Sequence, residues 1–238
     1  MIRGLYGAAT ALDAATARQE ATAENLAHLS TPGYRAHGVI FEPFEQELGR
    51  ARGSGNSGGV KNAGTYVDFQ PGAIRQTGSP YNLAIDGDSF FALEGPHGTV
   101  YTRNGSFRLG TDGQLQSEAG YPVLGTNGPI SIPPDSRNMM VSRDGNISAD
   151  GAAIDQLKLT KFENTGKLQQ VGPTLFEAPN EAGATEGTSS VLQGSLEGSN
   201  VNPATAMVEM IQAARYFEAA QRALRAVADA LQMNTRSN

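Results

Sequence analysis

Two glycine-rich spacings, scattered carboxylates and three histidines are the residues of this sequence whose types could carry chemistry. Gly53-x-Gly55-x-x-Gly58 has the spacing of a dinucleotide-binding turn, in which glycines let the backbone approach a pyrophosphate at a helix N-terminus. No strand precedes it, and Val60-Lys61-Asn62-Ala63-Gly64 does not open a helix, so Arg52 to Gly59 reads as a flexible loop. Gly55-Asn56-Ser57-Gly58-Gly59 fits a nucleophile elbow but lacks the strand–turn–helix frame that would expose the serine. Asp86-Gly87-Asp88 and Asp144-Gly145-Asn146 offer oxygen ligands without the bidentate glutamate a calcium loop needs, which leaves turn chemistry. His28 and His37 stand on either side of a helix stop with no metal-type spacing. The absence of cysteine excludes disulfides, thiolate metal sites and cysteine nucleophiles. Carboxylates are plentiful, but the sequence brings no two of them to the separation that glycoside hydrolysis requires. The expectation is a non-enzyme with no catalytic residue, no cofactor and no metal.

The bulk composition narrows the partners. The 238 residues carry 18 Lys+Arg against 24 Asp+Glu, a net charge of −6, so no overall basic field exists for nucleic acid or anionic lipid. Hydrophobic residues make up 39%, enough for a core, and 29 glycines point to many turns. No apolar window is long enough for a direct membrane span, and the N-terminal stretch lacks the apolar core of a cleaved secretory signal. No small-molecule substrate is expected either.

The elements that frame these residues change character three times. Leu5, Ala8, Leu12, Ala15, Gln19, Thr22, Leu26 and Leu29 alternate three and four apart, which predicts an amphipathic helix stopped by Ser30-Thr31-Pro32-Gly33. Thr31 to Asn62 reads as irregular. From about Thr65 the chain reads as all-β, with short runs such as Leu83-Ala84-Ile85, Phe90-Phe91-Ala92-Leu93 and Val100-Tyr101-Thr102. Asp86-Gly87, Asn104-Gly105, Asp112-Gly113, Asn127-Gly128, Asp144-Gly145 and Asp150-Gly151 would supply the positive φ of tight hairpin turns. Asn202-Pro203 then predicts a helix start. Ala206, Met210, Ala213, Phe217, Ala220, Leu224, Val227 and Leu231 repeat the spacing, and Glu218 stands four residues before Arg222, the spacing of a helical ion pair.

The fold class is therefore mixed α and β, mainly β: a discontinuous α-helical coiled-coil domain flanking a small antiparallel all-β domain. The helical domain takes residues 1–30 and 203–238, a flexible connector 31–64, the β domain 65–193 and a linker 194–202. Leu5, Leu12, Leu26, Met210, Phe217, Leu224, Val227 and Leu231 are the candidate seam, or assembly, residues. Small alanine seams bury little area, so the helices are expected to be ordered only when paired in an assembly.

Four separated motifs resemble one family. Asn25-Leu26-Ala27-His28-Leu29-Ser30-Thr31-Pro32-Gly33-Tyr34 is similar to the N-terminal signature of bacterial flagellar rod and hook proteins. Glu197-Gly198-Ser199-Asn200-Val201-Asn202-Pro203 resembles their C-terminal signature, followed by Arg215-x-Phe217-Glu218-Ala219. Ala84 to Phe91 and Tyr101 to Phe107 resemble the family's β-domain motifs. Glu24, His28-Leu29 and Ser89 depart from the usual Asn, Asn-Val and Gly. Asp68-Phe69-Gln70-Pro71-Gly72-Ala73-Ile74-Arg75-Gln76-Thr77-Gly78 looks most like the proximal-rod member, with a distal-rod or hook-type subunit as the alternative.

The resemblance implies a self-assembling structural protein of the flagellum. Such a subunit is exported unfolded and uncleaved by the flagellar type III apparatus and sits in the periplasmic rod of the basal body. Its partners are copies of itself and other rod proteins, and its terminal helices, disordered in the monomer, form the inner tube of a drive shaft that carries torque to the hook. A secreted peptidoglycan-acting enzyme and a monomeric adhesin are the rival classes.

Overall fold

The structure, a computed structural model, describes residues 2–43, 60–136 and 138–236. The run Arg52 to Gly59, with both glycine spacings, lies outside the described residues. Helix α1 (Ile2–Ala27) opens the chain and α2 (Pro203–Arg236) closes it. Between them come β1 (His37–Pro43), β2 (Val60–Val67), β3 (Ile74–Gln76), β4 (Leu83–Asp86), β5 (Phe90–Gly95), β6 (Gly98–Thr102) and β7 (Phe107–Leu109). There follow β8 (Leu115–Ser117), β9 (Leu124–Gly125), β10 (Gly128–Pro129), β11 (Met139–Val141), β12 (Asn146–Ala149) and β13 (Ala152–Gln156). The last are β14 (Leu159–Phe162), β15 (Gln169–Gly172), β16 (Leu175–Glu177), β17 (Ala184–Glu186), β18 (Ser190–Gln193) and β19 (Ser195–Glu197). Two compact units result: Met1–Ala27, His37–Asp68 and Val201–Asn238 form the first, His28–Ala36 and Phe69–Asn200 the second.

In the first unit α1 lies against α2 and carries the hairpin of β1 and β2. The N-terminal helix ends at Ala27, two residues short of Leu29 and before the predicted stop at Ser30-Thr31-Pro32-Gly33. The Asn202 side chain caps α2, its Oδ1 accepting from the N–H groups of Ala204 at 3.0 Å and Thr205 at 3.2 Å. Two expectations change. The stretch from Thr31 to Asn62, read as irregular, contains all of β1 and the start of β2, joined by an antiparallel register that runs from His37↔Val67 to Pro43↔Val60. Helix α1 packs along α2. The Glu218–Arg222 pair also differs: Arg222 Nε donates to the Glu218 main-chain carbonyl at 3.3 Å instead of its carboxylate.

The second unit is built on a fully antiparallel six-stranded sheet in the order β15-β16-β6-β5-β14-β17. Strand side chains alternate between faces, so the four consecutive buried residues that open β5 mean that both faces are covered. Phe91 packs on one side with Phe107, Leu93, Leu115 and Ile147. Phe90 faces the other side, with rings at 5.5 Å from Phe162 and 5.8 Å from Phe69. The hairpin of β12 and β13 turns on Asp150-Gly151, both at positive φ.

Five of the six Asn-Gly or Asp-Gly glycines have positive φ; Gly105 does not. Its role is close approach: a Cβ there would stand 1.6 Å from the Leu83 carbonyl oxygen. Thr126 Oγ1 at 2.7 Å and Asn127 Nδ2 at 2.9 Å both donate to Asp155 Oδ1. Burial pushes the Asp155 carboxyl up, but hydrogen bonds from Thr126, Gln156 and Asn127 outweigh it and hold it below the usual carboxylate range. A depressed folded pKa gives stability that is present above the unfolded value of about 4 and is lost as pH falls through the folded value. The Thr126–Asn127 turn is therefore expected to loosen in acid below about pH 4. An NMR titration in which the Asn127 amide resonances stay fixed down to about pH 2 would contradict this.

Candidate functional site

The seam residues divide by size. On α2, Ala206, Ala213 and Ala220, spaced by sevens, are buried, while Met210, Phe217, Leu224 and Val227 are half-buried. Alanine lets a neighbouring backbone approach closely, and the larger side chains flank that contact with surface left over. On α1, Ala15, Ala21, Thr22 and Asn25 are buried, and Leu12 and Leu26 are half-buried. The Thr22 hydroxyl is satisfied by donating to the Arg18 carbonyl at 2.8 Å. For Leu5 and Leu231 the helical backbone alone is described. A further apolar set on α2, Met207, Val208 and Ile211, is more than half exposed at 54%, 53% and 55%.

Asn25, the first residue of the N-terminal motif, fixes the start of β1. Its Nδ2 donates to the His37 carbonyl at 2.8 Å, and its Oδ1 accepts from the His37 N–H at 2.8 Å. One side-chain amide thus pairs with both polar groups of one backbone residue, as a strand would.

The second unit has a comparable device. Segments 33–36 and 197–200 run side by side in the same direction: the Gly33 N–H donates to the Glu197 carbonyl at 2.8 Å, and the Asn200 N–H to the Tyr34 carbonyl at 3.4 Å. Asn200 Oδ1 accepts from the Ala36 N–H at 2.7 Å, and its Nδ2 donates to the Gln70 carbonyl at 3.1 Å. One side chain therefore ties three of the four places where the chain enters or leaves this unit. Asn200→Ala is expected to cost about 1–3 kcal/mol, the loss of two such bonds. Faster amide exchange at 34–36 and 70 with unaltered exchange in β5 would check it; unaltered exchange at both would contradict it.

Beneath Asn200 lies a cluster of charge that sequence reasoning did not find. Arg35 Nη2 donates to Glu197 Oε1 at 2.6 Å, and the Gly72 N–H donates to the same oxygen at 2.8 Å. Arg103 Nε stands 3.6 Å from Glu197 Oε2, and its guanidinium lies over the Phe90 ring, 5.4 Å from the centroid. Arg35, Arg103 and Glu197 are 1%, 3% and 1% exposed. Burial pushes the Arg103 pKa down and the Glu197 charge opposes this.

Of the residues that depart from the family motifs, Glu24, His28 and Ser89 each find a partner side chain. Glu24 Oε2 lies 3.3 Å from His37 Nδ1. The His28 ring stacks on Tyr34 at 4.7 Å. Ser89 and Ser189 share a hydroxyl–hydroxyl bond of 2.7 Å.

For small-molecule chemistry the geometry offers little. A cleft of about 820 Å³ is lined by Thr160, Thr185, Thr188 and Ser189 with Arg143 and Asp144 on its wall. Among the described residues no cluster of three His, Asp or Glu side chains could hold a metal ion; Gly87-Asp88 is a bend after β4, and Asp144-Gly145 lies in the turn before β12. Among the described residues no helix is long and apolar enough to cross a membrane.

Comparison with known proteins agrees with the motifs. The family model described as the flagellar hook protein FlgE/F/G D1 domain matches residues 84–149. The one described as the flagellar basal body rod FlgEFG protein C-terminal matches residues 192–235. The chain is 33% identical to the flagellar basal-body rod protein FlgG of Buchnera aphidicola subsp. Schizaphis graminum, over 92% of this chain and 93% of that protein. It is 34% identical to the FlgF rod protein of Salmonella typhimurium, over 92% and 91%. The FlgF rod protein of Escherichia coli is 33% identical, over 96% and 95%.

Proposed function

The chain belongs to the flagellar basal-body rod protein family, and we propose that it polymerises through α1 and α2, paired as coiled coils, into the helical shaft that carries torque to the hook. The observation that carries this reading is the apolar surface left on α2: half-buried Met210, Phe217, Leu224 and Val227, and exposed Met207, Val208 and Ile211. Apolar surface on a second face of a helix that already has one partner fits burial by neighbouring subunits. Repeated heterologous contacts of that kind produce an open helical tube rather than a closed ring. Folding linked to assembly then stabilises many copies together.

The function is mechanical and involves no reaction. Within the rod we assign the chain to the proximal part, on the likeness of Asp68 to Gly78 to that member. Identities of 33% and 34% to relatives named FlgG and FlgF favour neither over the other. Export through the flagellar type III apparatus, unfolded and uncleaved, and a periplasmic position belong to the same reading.

Electron microscopy of basal bodies purified from a strain lacking this gene tests it. Missing or truncated rods are expected, with the break in the proximal part. A break further out would move the assignment to the distal rod. Complete rods with normal hooks would overturn the shaft reading and leave the peptidoglycan-acting enzyme or adhesin.

A further inference from the structure

Glu197 is outnumbered. Among the described residues it is the one carboxylate within ion-pair distance of Arg35 and Arg103, since Asp88 is engaged by Lys161 at 2.6 Å. Even with Glu197 in place, Arg35 Nε, Arg103 Nη1 and Glu197 Oε2 have no hydrogen-bond partner among the described residues. The site thus holds two guanidiniums and one carboxylate that are themselves almost wholly buried, with Arg103 and Glu197 at the wall of a cleft of about 770 Å³. Withdrawing the carboxylate removes the one ion-pair partner of both buried guanidiniums and leaves Arg103 only its hydrogen bond to the Gly87 carbonyl and the weaker pull of Asp88, a loss that a buried charged site tolerates poorly.

The backbone around the cluster is equally dependent on the arrival of residues 197–200. The Gly198 N–H donates to the Ala73 carbonyl at 2.9 Å, and a Cβ on Gly72 would stand 2.1 Å from the Gly198 carbonyl oxygen. Segments 33–36 and 69–73 therefore pack on 197–200 at backbone distance, with Glu197 as the shared acceptor. Its ion-pair partner Arg35 lies 162 positions earlier in the chain.

We propose that Glu197 is a positioning residue that gates closure of this junction: segments 33–36 and 69–73 lock only once 197–200 is seated. A subunit whose C-terminal segment has not arrived keeps the junction open and its guanidiniums hydrated. The consequence for assembly, that a subunit becomes competent only when its chain is complete, rests on the rod-subunit reading; the closure itself does not.

The test is amide hydrogen exchange, by mass spectrometry, on the full chain. Glu197→Gln keeps the shape and an acceptor for Gly72 but removes the charge. Exchange in 28–36 and 69–76 is expected to rise by about tenfold or more, with β5 and β6 unchanged. Adding Arg35→Met and Arg103→Met to Glu197→Gln removes the uncompensated cations and is expected to restore protection to within about threefold of the parent. Arg103→Met alone leaves a balanced pair and is expected to keep the junction closed, a readout that survives if Glu197→Gln fails to fold. Unchanged exchange in Glu197→Gln, no recovery in the triple variant, or an open junction in Arg103→Met would each overturn the gate. Normal entry of an open-junction Glu197→Gln subunit into rods would overturn its consequence for assembly. A gene deletion that leaves rods intact would overturn the rod reading without touching the exchange result.

Discussion

Leu224→Glu is expected to abolish entry of the subunit into the rod while leaving the second unit folded. In the single chain Leu224 is half-buried, so a glutamate there keeps its carboxylate in water and costs about 1 kcal/mol or less. The penalty arises when a neighbour covers that face. Desolvating an unpaired carboxylate then costs several kcal/mol, and about 3 kcal/mol per contact lowers the association constant by more than about a hundredfold. Two measurements separate the effects. Thermal unfolding of the purified variant is expected to stay close to the parent's, and immunoblots of purified basal bodies from the complemented strain are expected to lack the subunit. Parental levels of Leu224→Glu in rods would defeat the argument that this face is buried on assembly. A large fall in unfolding temperature would mean that Leu224 serves the single chain instead.

Local signals were legible in the sequence and distant ones were not. Asn202 before Pro203 gave the start of α2 because an N-cap acts within three residues. Asp150-Gly151 marked a turn because positive φ is a property of the residues themselves. Gly105 looked like the same signal, yet its glycine is required by the Leu83 carbonyl, about twenty residues away in sequence and invisible to dipeptide reasoning. The hairpin of β1 and β2 escaped because a long intervening segment hides the pairing, and composition alone made the stretch read as a connector. Arg35, Arg103 and Glu197 escaped for a related reason. Each is an ordinary charged residue in its own neighbourhood, and the fold alone brings them together. A trace was present: Arg35 and Arg103 each directly follow a residue of β-forming type, Tyr34 and Thr102, and both of those are buried. Charges set in buried runs need partners, but spacing does not say which. Asn25 and Asn200 were visible as motif members through the family resemblance; what they do, pairing with backbone at His37 and at Ala36 and Gln70, emerged from the structure.

Gly33→Ala is expected to be among the most damaging single-methyl additions to the second unit. Thr31-Pro32-Gly33-Tyr34 is a turn closed by the Tyr34 N–H donating to the Thr31 carbonyl at 3.3 Å. Proline at its second position and a glycine of φ +67° at its third suit a type II turn. Alanine at positive φ costs about 1–2 kcal/mol by itself. At this position the added methyl also meets backbone: a Cβ would lie 2.3 Å from the Asn104 nitrogen and 2.4 Å from the Arg103 carbonyl carbon. Neither atom can yield as a flexible side chain would. Arg103 is held by Glu197 and Phe90, and the Asn104 N–H donates to Thr102 Oγ1 at 3.0 Å. Gly78→Ala is the matched control, with φ +77° and nothing within 4 Å of its Cβ. It carries the backbone strain without the collision. Urea unfolding is expected to give about 1–2 kcal/mol for Gly78→Ala and about 3 kcal/mol or more for Gly33→Ala, the difference being the clash. Equal losses would mean that the turn moves away from Arg103 and Asn104 at no cost, and that residues 33–36 are not fixed against the β unit. A larger loss at Gly33 would tie the Thr31-Pro32-Gly33 motif to a physical requirement: only a residue without a side chain lets the chain leave the helix and pass directly over the backbone that carries Arg103.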